Sequence, residues 1–161
     1  MIYIITGGRG AGKTTLVSQL VHCARRQKWR VTGIITLGEW RDGEKVALYA
    51  HDIVTGERRL LARRKSATEP WEFVAETLEW GNRVLASAVP TDLLVVDELG
   101  PLEWEEARGW TAGLSAIDSG QYRVALVVVR PELVPQAQRR WPQASPGPFA
   151  VPPEGGPPSR A

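Results

Sequence analysis

Ile2-Tyr3-Ile4-Ile5-Thr6-Gly7-Gly8-Arg9-Gly10-Ala11-Gly12-Lys13-Thr14-Thr15 stands at the head of the chain, an apolar run passing into a glycine-rich loop. Gly7, Gly12, Lys13 and Thr14 complete the pattern G-x-x-x-x-G-K-S/T, placed between a predicted strand and a predicted helix as its mechanics require. Small residues at Gly7, Gly8, Gly10, Ala11 and Gly12 let the backbone curl so that successive N–H groups converge on phosphate oxygens. Lys13 is expected to reach the outer phosphates and Thr14 to offer its hydroxyl to a magnesium ion. The helix that starts there adds its positive dipole end to the same anion. The alternative is a glycine-rich turn capping an ordinary helix. The flanking apolar pattern favours the phosphate cradle, which would comprise Gly7, Gly8, Arg9, Gly10, Ala11, Gly12, Lys13, Thr14 and Thr15.

Leu16, Val17, Leu20, Val21 and Ala24 follow at helical spacing, predicting a helix over 13–28 with Arg25, Arg26 and Lys28 in its last turn. A strand is expected at 31–37. Asp42-Gly43 and Thr55-Gly56 then separate short segments at 46–50 and 58–62, the pattern of an antiparallel ribbon projecting from the main sheet. Pro70 can open a helix whose buried face carries Trp71, Val74, Ala75, Leu78, Leu85 and Ala88. Leu93-Leu94-Val95-Val96 and the run at 124–129 are continuous apolar stretches, as in parallel strands covered on both faces. Between them Ala107, Trp110, Thr111, Leu114 and Ile117 trace one more helix, and a short last helix is expected at 133–141. The predicted architecture is a three-layer α/β domain, residues 1–141, with a mostly parallel central sheet and an antiparallel ribbon insertion. Residues 142–161, rich in proline and glycine, read as an extended, weakly ordered tail.

Ligands on parallel sheets sit at the carboxyl ends of the strands, which turns sequence position into geometry. Gly7, Asp97 and Arg130 each fall just beyond a predicted strand, so all three are expected along one rim. Asp97 is placed to hold the magnesium ion together with Thr14, and Glu98 to orient an attacking water and accept its proton. Two solvated acids at a strand end are the bland alternative, and the upstream phosphate loop argues against it. Pro131 keeps Arg130 extended, where its guanidinium could neutralise charge on a γ-phosphate; a solvated strand-end arginine is the alternative.

With 161 residues, a formal charge of +2 and a pI near 8.9, the chain suits one domain and carries no electrostatic footprint for nucleic acid. Cys23, the single cysteine, is expected inside the first helix as a buried small hydrophobe, and no disulfide or zinc cluster can be built from it. No leader or bilayer-length apolar run is visible, so a soluble, cytoplasmic protein without membrane partners is expected, with a monomer favoured.

These residues resemble the small P-loop nucleoside triphosphatases first described from thermophiles, a family that includes the human cancer-related NTPase. The resemblance rests on Gly7 to Thr15; on Gly33, Thr36, Glu39, Arg41 and Gly43 with Asp52-Ile53-Val54; and on Val95-Val96-Asp97-Glu98-Leu99-Gly100-Pro101-Leu102-Glu103, the most specific stretch. It covers about residues 1–141. It implies a P-loop NTPase fold and magnesium-dependent hydrolysis of ATP, GTP and other nucleoside triphosphates, with Asp97 as magnesium partner and Glu98 as water-orienting base. Arg9 departs from the small or apolar residue more usual inside the loop.

Two other readings remain open on the residues alone. Arg58, Arg59, Arg63, Arg64 and Lys65 form the densest basic cluster and could close over phosphates in a nucleotide or small-molecule kinase, although a charged ribbon edge explains them as well. A slow-turnover regulatory module that binds nucleotide is the third reading. No N-K-x-D-like stretch supports a dedicated GTPase, and the seven tryptophans, with Trp71 and Trp110 assigned to core, do not point to nucleic acid.

Overall fold

A computed structural model describes residues 1–7 and 12–145. Seven strands form one sheet: β1 (Ile2–Ile5), β2 (Val31–Arg41), β3 (Glu44–Asp52), β4 (Arg58–Arg63), β5 (Glu72–Phe73), β6 (Thr91–Leu99) and β7 (Tyr122–Val129). Their order is β1-β7-β6-β2-β3-β4-β5. The first four in that order run parallel, and from β2 onward each pairing is antiparallel. The three-layer α/β expectation therefore holds, as a mixed sheet with a parallel core and an antiparallel ribbon.

Alternation along the buried strands divides the core between the two faces. Ile5, Leu93, Val95, Leu126 and Val128 pack with Leu16, Val17 and Val21 of α1 (Lys13–Arg26). Ile2, Ile4, Leu94, Val96, Ala125, Val127 and Val129 face the other way, against α2 (Ala75–Ala86), α4 (Thr111–Ser119) and α5 (Val134–Arg140). Strands covered on both sides need apolar residues at every position, which is why their sequences read as unbroken hydrophobic runs.

Four expectations are corrected. The ribbon does not project: β2 is eleven residues long and outruns its pairing with β6, so β3 and β4 continue the sheet along its free half. The helix predicted from Pro70 starts at Ala75, because Glu72 and Phe73 are drawn into pairing with Arg63 and Ala62 as β5. The single helix traced through Ala107 and Ile117 is two, α3 (Pro101–Glu105) and α4, separated by a turn in which Ala107 and Gly109 have φ of 52° and 72°. Cys23 is exposed, not buried. It lies two residues past Val21, about 200° around the helix and off the apolar stripe.

The last helix is preceded by a 3₁₀ turn, Pro131–Leu133. After it, Trp141 is buried and Ser145 forms a parallel bridge with Tyr3 on the outer edge of β1. No helix among the described residues is long and apolar enough to cross a membrane.

Candidate active site

All four parallel strands point their carboxyl ends at one rim, and the predicted site residues gather there. Gly7 follows β1, Asp97 and Glu98 lie near the end of β6, and Arg130 follows β7. Together with Gly12, Lys13, Thr14 and Thr15 they line a single cleft of about 610 Å³. Gly8, Arg9, Gly10 and Ala11 of the expected cradle lie outside the described residues, as does the tail beyond Ser145.

Gly12 takes the left-handed conformation, φ 84°, and delivers the chain into α1. Among the described residues no side chain caps that helix and its first turn holds no acid, so its positive dipole end favours an anion. Lys13 reaches back to the end of β1, its Nζ donating to the Gly7 carbonyl at 3.1 Å. The same ammonium lies 3.8 Å from Glu98 Oε2. On the other side, Arg130 Nε is 3.5 Å from Glu98 Oε1 and its Nη1 is 4.0 Å from Glu132 Oε1. Glu98 thus bridges two cations drawn from two separate elements.

Asp97 is buried at the centre of the rim, joined to Glu98 by a cis peptide. Thr36 of β2 holds it from the neighbouring strand: its N–H donates to Asp97 Oδ2 at 3.2 Å and its hydroxyl to the Asp97 carbonyl at 2.5 Å. Burial pushes the Asp97 carboxyl up to about 7 and the Glu98 carboxylate adds to the rise, against the Thr36 hydrogen bond and the charges of Lys13 and Lys45. A carboxylate and a hydroxyl, Asp97 and Thr14, line the same cleft. Hard oxygen donors in small number, leaving room for water, are the donor set magnesium prefers, so the residues fit the ion.

The sequence reading missed part of the wall opposite the phosphate loop. Thr36, Gly38, Trp40, Lys45 and Trp71 line the cleft there, and Arg64 is the member of the basic cluster that joins them. Arg58 instead donates to His51, and Arg59 pairs with Glu57 and stacks over Trp80. The cross-strand register that brings Lys45 opposite Trp40 is fixed by the hairpin turn at Asp42-Gly43 and an irregularity between Glu39 and Trp40. Trp71, expected on the buried face of a helix, precedes β5, is half-buried and carries the Arg64 guanidinium over its ring.

A glycine loop entering a helix, followed in space by a strand-end acidic pair across a parallel sheet, defines a P-loop nucleotide-binding α/β protein. A family model described as NTPase matches residues 2–141, and the chain belongs to that family. It is similar to the nucleoside-triphosphatase THEP1 of Archaeoglobus fulgidus, 35% identical over 100 residues that cover 62% of this chain and 60% of the relative. The THEP1 protein of Caldivirga maquilingensis is 31% identical over 103 residues, 62% of this chain and 58% of that protein. The chain thus spans about three fifths of the length of these relatives. The solution structure of a human cancer-related nucleoside triphosphatase superposes with a TM-score of 0.65, covering 89% of this chain and 85% of the other at 19% identity, a likeness of fold.

Proposed function

We propose that this protein hydrolyses nucleoside triphosphates, ATP and GTP among them, to diphosphate and phosphate in the presence of magnesium. The observation that carries this reading is the approach of Lys13 Nζ to within 3.8 Å of Glu98 Oε2 across the cleft, which sets phosphate-binding and water-activating groups face to face. Gly7 to Thr15 cradle the phosphates, and Lys13 grips the outer ones. Asp97 and Thr14 would hold a magnesium ion, which would supply positive charge to neutralise the phosphate oxygens. Glu98 orients a water and takes its proton as the water oxygen bonds to the γ-phosphorus; the bond to the bridging oxygen breaks and the diphosphate leaves. Arg130, beside Glu98, faces the charge on the γ-phosphoryl group as it passes to water.

Phosphate release from a panel of nucleoside triphosphates, with no acceptor added, tests the reading. Release should require magnesium, stop with chelator, and be lost in Lys13→Ala. Glu98→Gln should keep nucleotide binding and slow single turnover by about 10²- to 10⁴-fold. Release that waits for a second substrate would indicate a kinase, and indifference to Glu98→Gln a binding module.

A further inference from the structure

On the loop side of the cleft, positive charge is already shared. Lys13 and Arg130 both attend Glu98, and Arg130 also faces Glu132. Among the described residues, the opposite wall of the cleft, built by the β2–β3–β4 ribbon, brings two further cations to it, Lys45 and Arg64.

Lys45 reaches the cleft by lying flat over Gly38. A Cβ at position 38 would fall 2.9 Å from Lys45 Cε, 3.2 Å from Cδ and 3.4 Å from Cγ, so the missing side chain is the channel along which the lysine stem runs. The Lys45 ammonium sits 5.2 Å from the centre of the Trp40 ring and close enough to Asp97 for the two charges to interact, as Lys13 does. Arg64 braces this arrangement. Its Nε donates to the Lys45 carbonyl at 2.9 Å, its Nη1 to the Ala67 carbonyl at 3.3 Å, and its guanidinium lies 4.1 Å over the Trp71 ring. The Arg64 N–H donates to Val46 and the Ala67 N–H to Glu44, which ties the turn after β4 to β3. A long cation fixed by two carbonyls and an aromatic face has little rotamer freedom left to lose when it meets an anion.

We propose that Lys45 and Arg64 form a second phosphate-binding wall that meets the terminal phosphate of a bound nucleoside triphosphate, and the inorganic phosphate released from it, from the side opposite Lys13. The proposal rests on the nucleotide-hydrolysis reading for the position of that phosphate. It adds a ligand contact supplied by the ribbon, an element outside the phosphate loop and the acidic pair. Diphosphate, which lacks the terminal group, should not feel the wall. Triphosphate and free phosphate should.

The test compares a non-hydrolysable triphosphate with the diphosphate by equilibrium binding, and adds inorganic phosphate as an inhibitor of turnover. Lys45→Met keeps the apolar stem over Gly38 and removes the charge. It should weaken the triphosphate about tenfold, as expected for loss of a charge-assisted contact, and leave the diphosphate within about twofold. Turnover should fall by at least about tenfold, and inhibition by phosphate should weaken in parallel. Gly38→Ala should reproduce the loss in weaker form, since the added Cβ displaces only the end of a flexible side chain. An unchanged preference for triphosphate over diphosphate in Lys45→Met, with native unfolding behaviour, overturns the proposal even if Lys13→Ala abolishes turnover. A native chain that releases no phosphate would overturn the hydrolysis reading instead, while loss of the triphosphate preference in Lys45→Met would still support the wall.

Discussion

Asp97 owes its position to a residue on another strand. β6 and β2 are paired only from Val31 to Ile34 on the β2 side, and beyond that point the Thr36 hydroxyl and N–H take over the work of holding the two strand ends together. Thr36→Val keeps the shape and the N–H but removes the hydroxyl that meets the Asp97 carbonyl. If Asp97 holds magnesium as proposed, the magnesium concentration for half-maximal phosphate release should rise by roughly 10- to 100-fold, the usual consequence of losing a group that orients a metal ligand. A magnesium titration of phosphate release checks this, and diphosphate binding without metal, read by equilibrium titration, should hold steady. Glu103 makes a different kind of residue-scale argument. Buried beneath the rim, it accepts the Gly100 N–H at 2.7 Å and the Trp110 N–H at 2.8 Å. Burial raises its carboxyl above the ordinary value of 4.5, the two backbone hydrogen bonds opposing the rise. A group raised in this way binds its proton more tightly folded than unfolded. Its contribution is therefore fullest below the unfolded value and is lost as pH climbs through the folded one. Glu103→Gln can accept only one of the two N–H groups and should destabilise the chain by about 1–3 kcal/mol. That gap should narrow from acidic to neutral pH in urea unfolding.

At the scale of elements, Glu103 also explains why one predicted helix is two. Its carboxylate satisfies the first N–H of the segment leading into α4, so the backbone can turn through Gly109 at φ 72° and start afresh at Thr111. A Cβ on Gly109 would fall 1.7 Å from Glu103 Oε2. Gly109→Ala should therefore cost about 2–3 kcal/mol from backbone strain and a disturbed buried carboxylate, visible as a lower denaturant midpoint. Helical spacing in the sequence could not reveal this break, because the partner that pays for it lies in the preceding helix. The same limit hid the start of α2, where Glu72 and Phe73 read as first-turn residues until β4 offered its edge. What was legible followed from local or obligate patterns. Ile4-Ile5 of β1 and the runs 93–96 of β6 and 124–129 of β7 are apolar throughout because helices cover both faces of the sheet there, and the sequence pattern from Gly7 to Thr15 carries its own mechanics. Asp97, Glu98 and Arg130 could be placed on one rim because strand ends are positions a sequence discloses. Lys45 and Arg64 could not, since their entry into the cleft depends on cross-strand register and on the empty space above Gly38.

The whole molecule is closed at its far edge by the segment after α5. Trp141 is buried, meets Trp104 edge-on with ring centres 5.5 Å apart, and donates its Nε1 to Asp118 of α4 at 2.8 Å. Arg140 pairs with the same carboxylate. Ser145 then donates its N–H to Ile2 at 2.9 Å and accepts the Ile4 N–H at 3.3 Å, so the chain returns to the outer edge of the strand that leads into the phosphate loop. This arrangement bears on the proposed division between a domain at 1–141 and a tail at 142–161. Trp141→Ala should cost about 3–5 kcal/mol, the range for removing a buried tryptophan, because three helices and the β1 edge depend on that packing. A chain ended after Trp141 keeps the ring and loses the two hydrogen bonds of Ser145, and should be less stable than one ended after Ser145 by about 1–3 kcal/mol. Ending the chain after Ser145 should leave both the urea midpoint and phosphate release as they are in the full chain. Equal stability of the two shortened chains would set the boundary at Trp141. Loss of phosphate release on removing residues 146–161, with the midpoint unchanged, would instead give the tail a part in turnover.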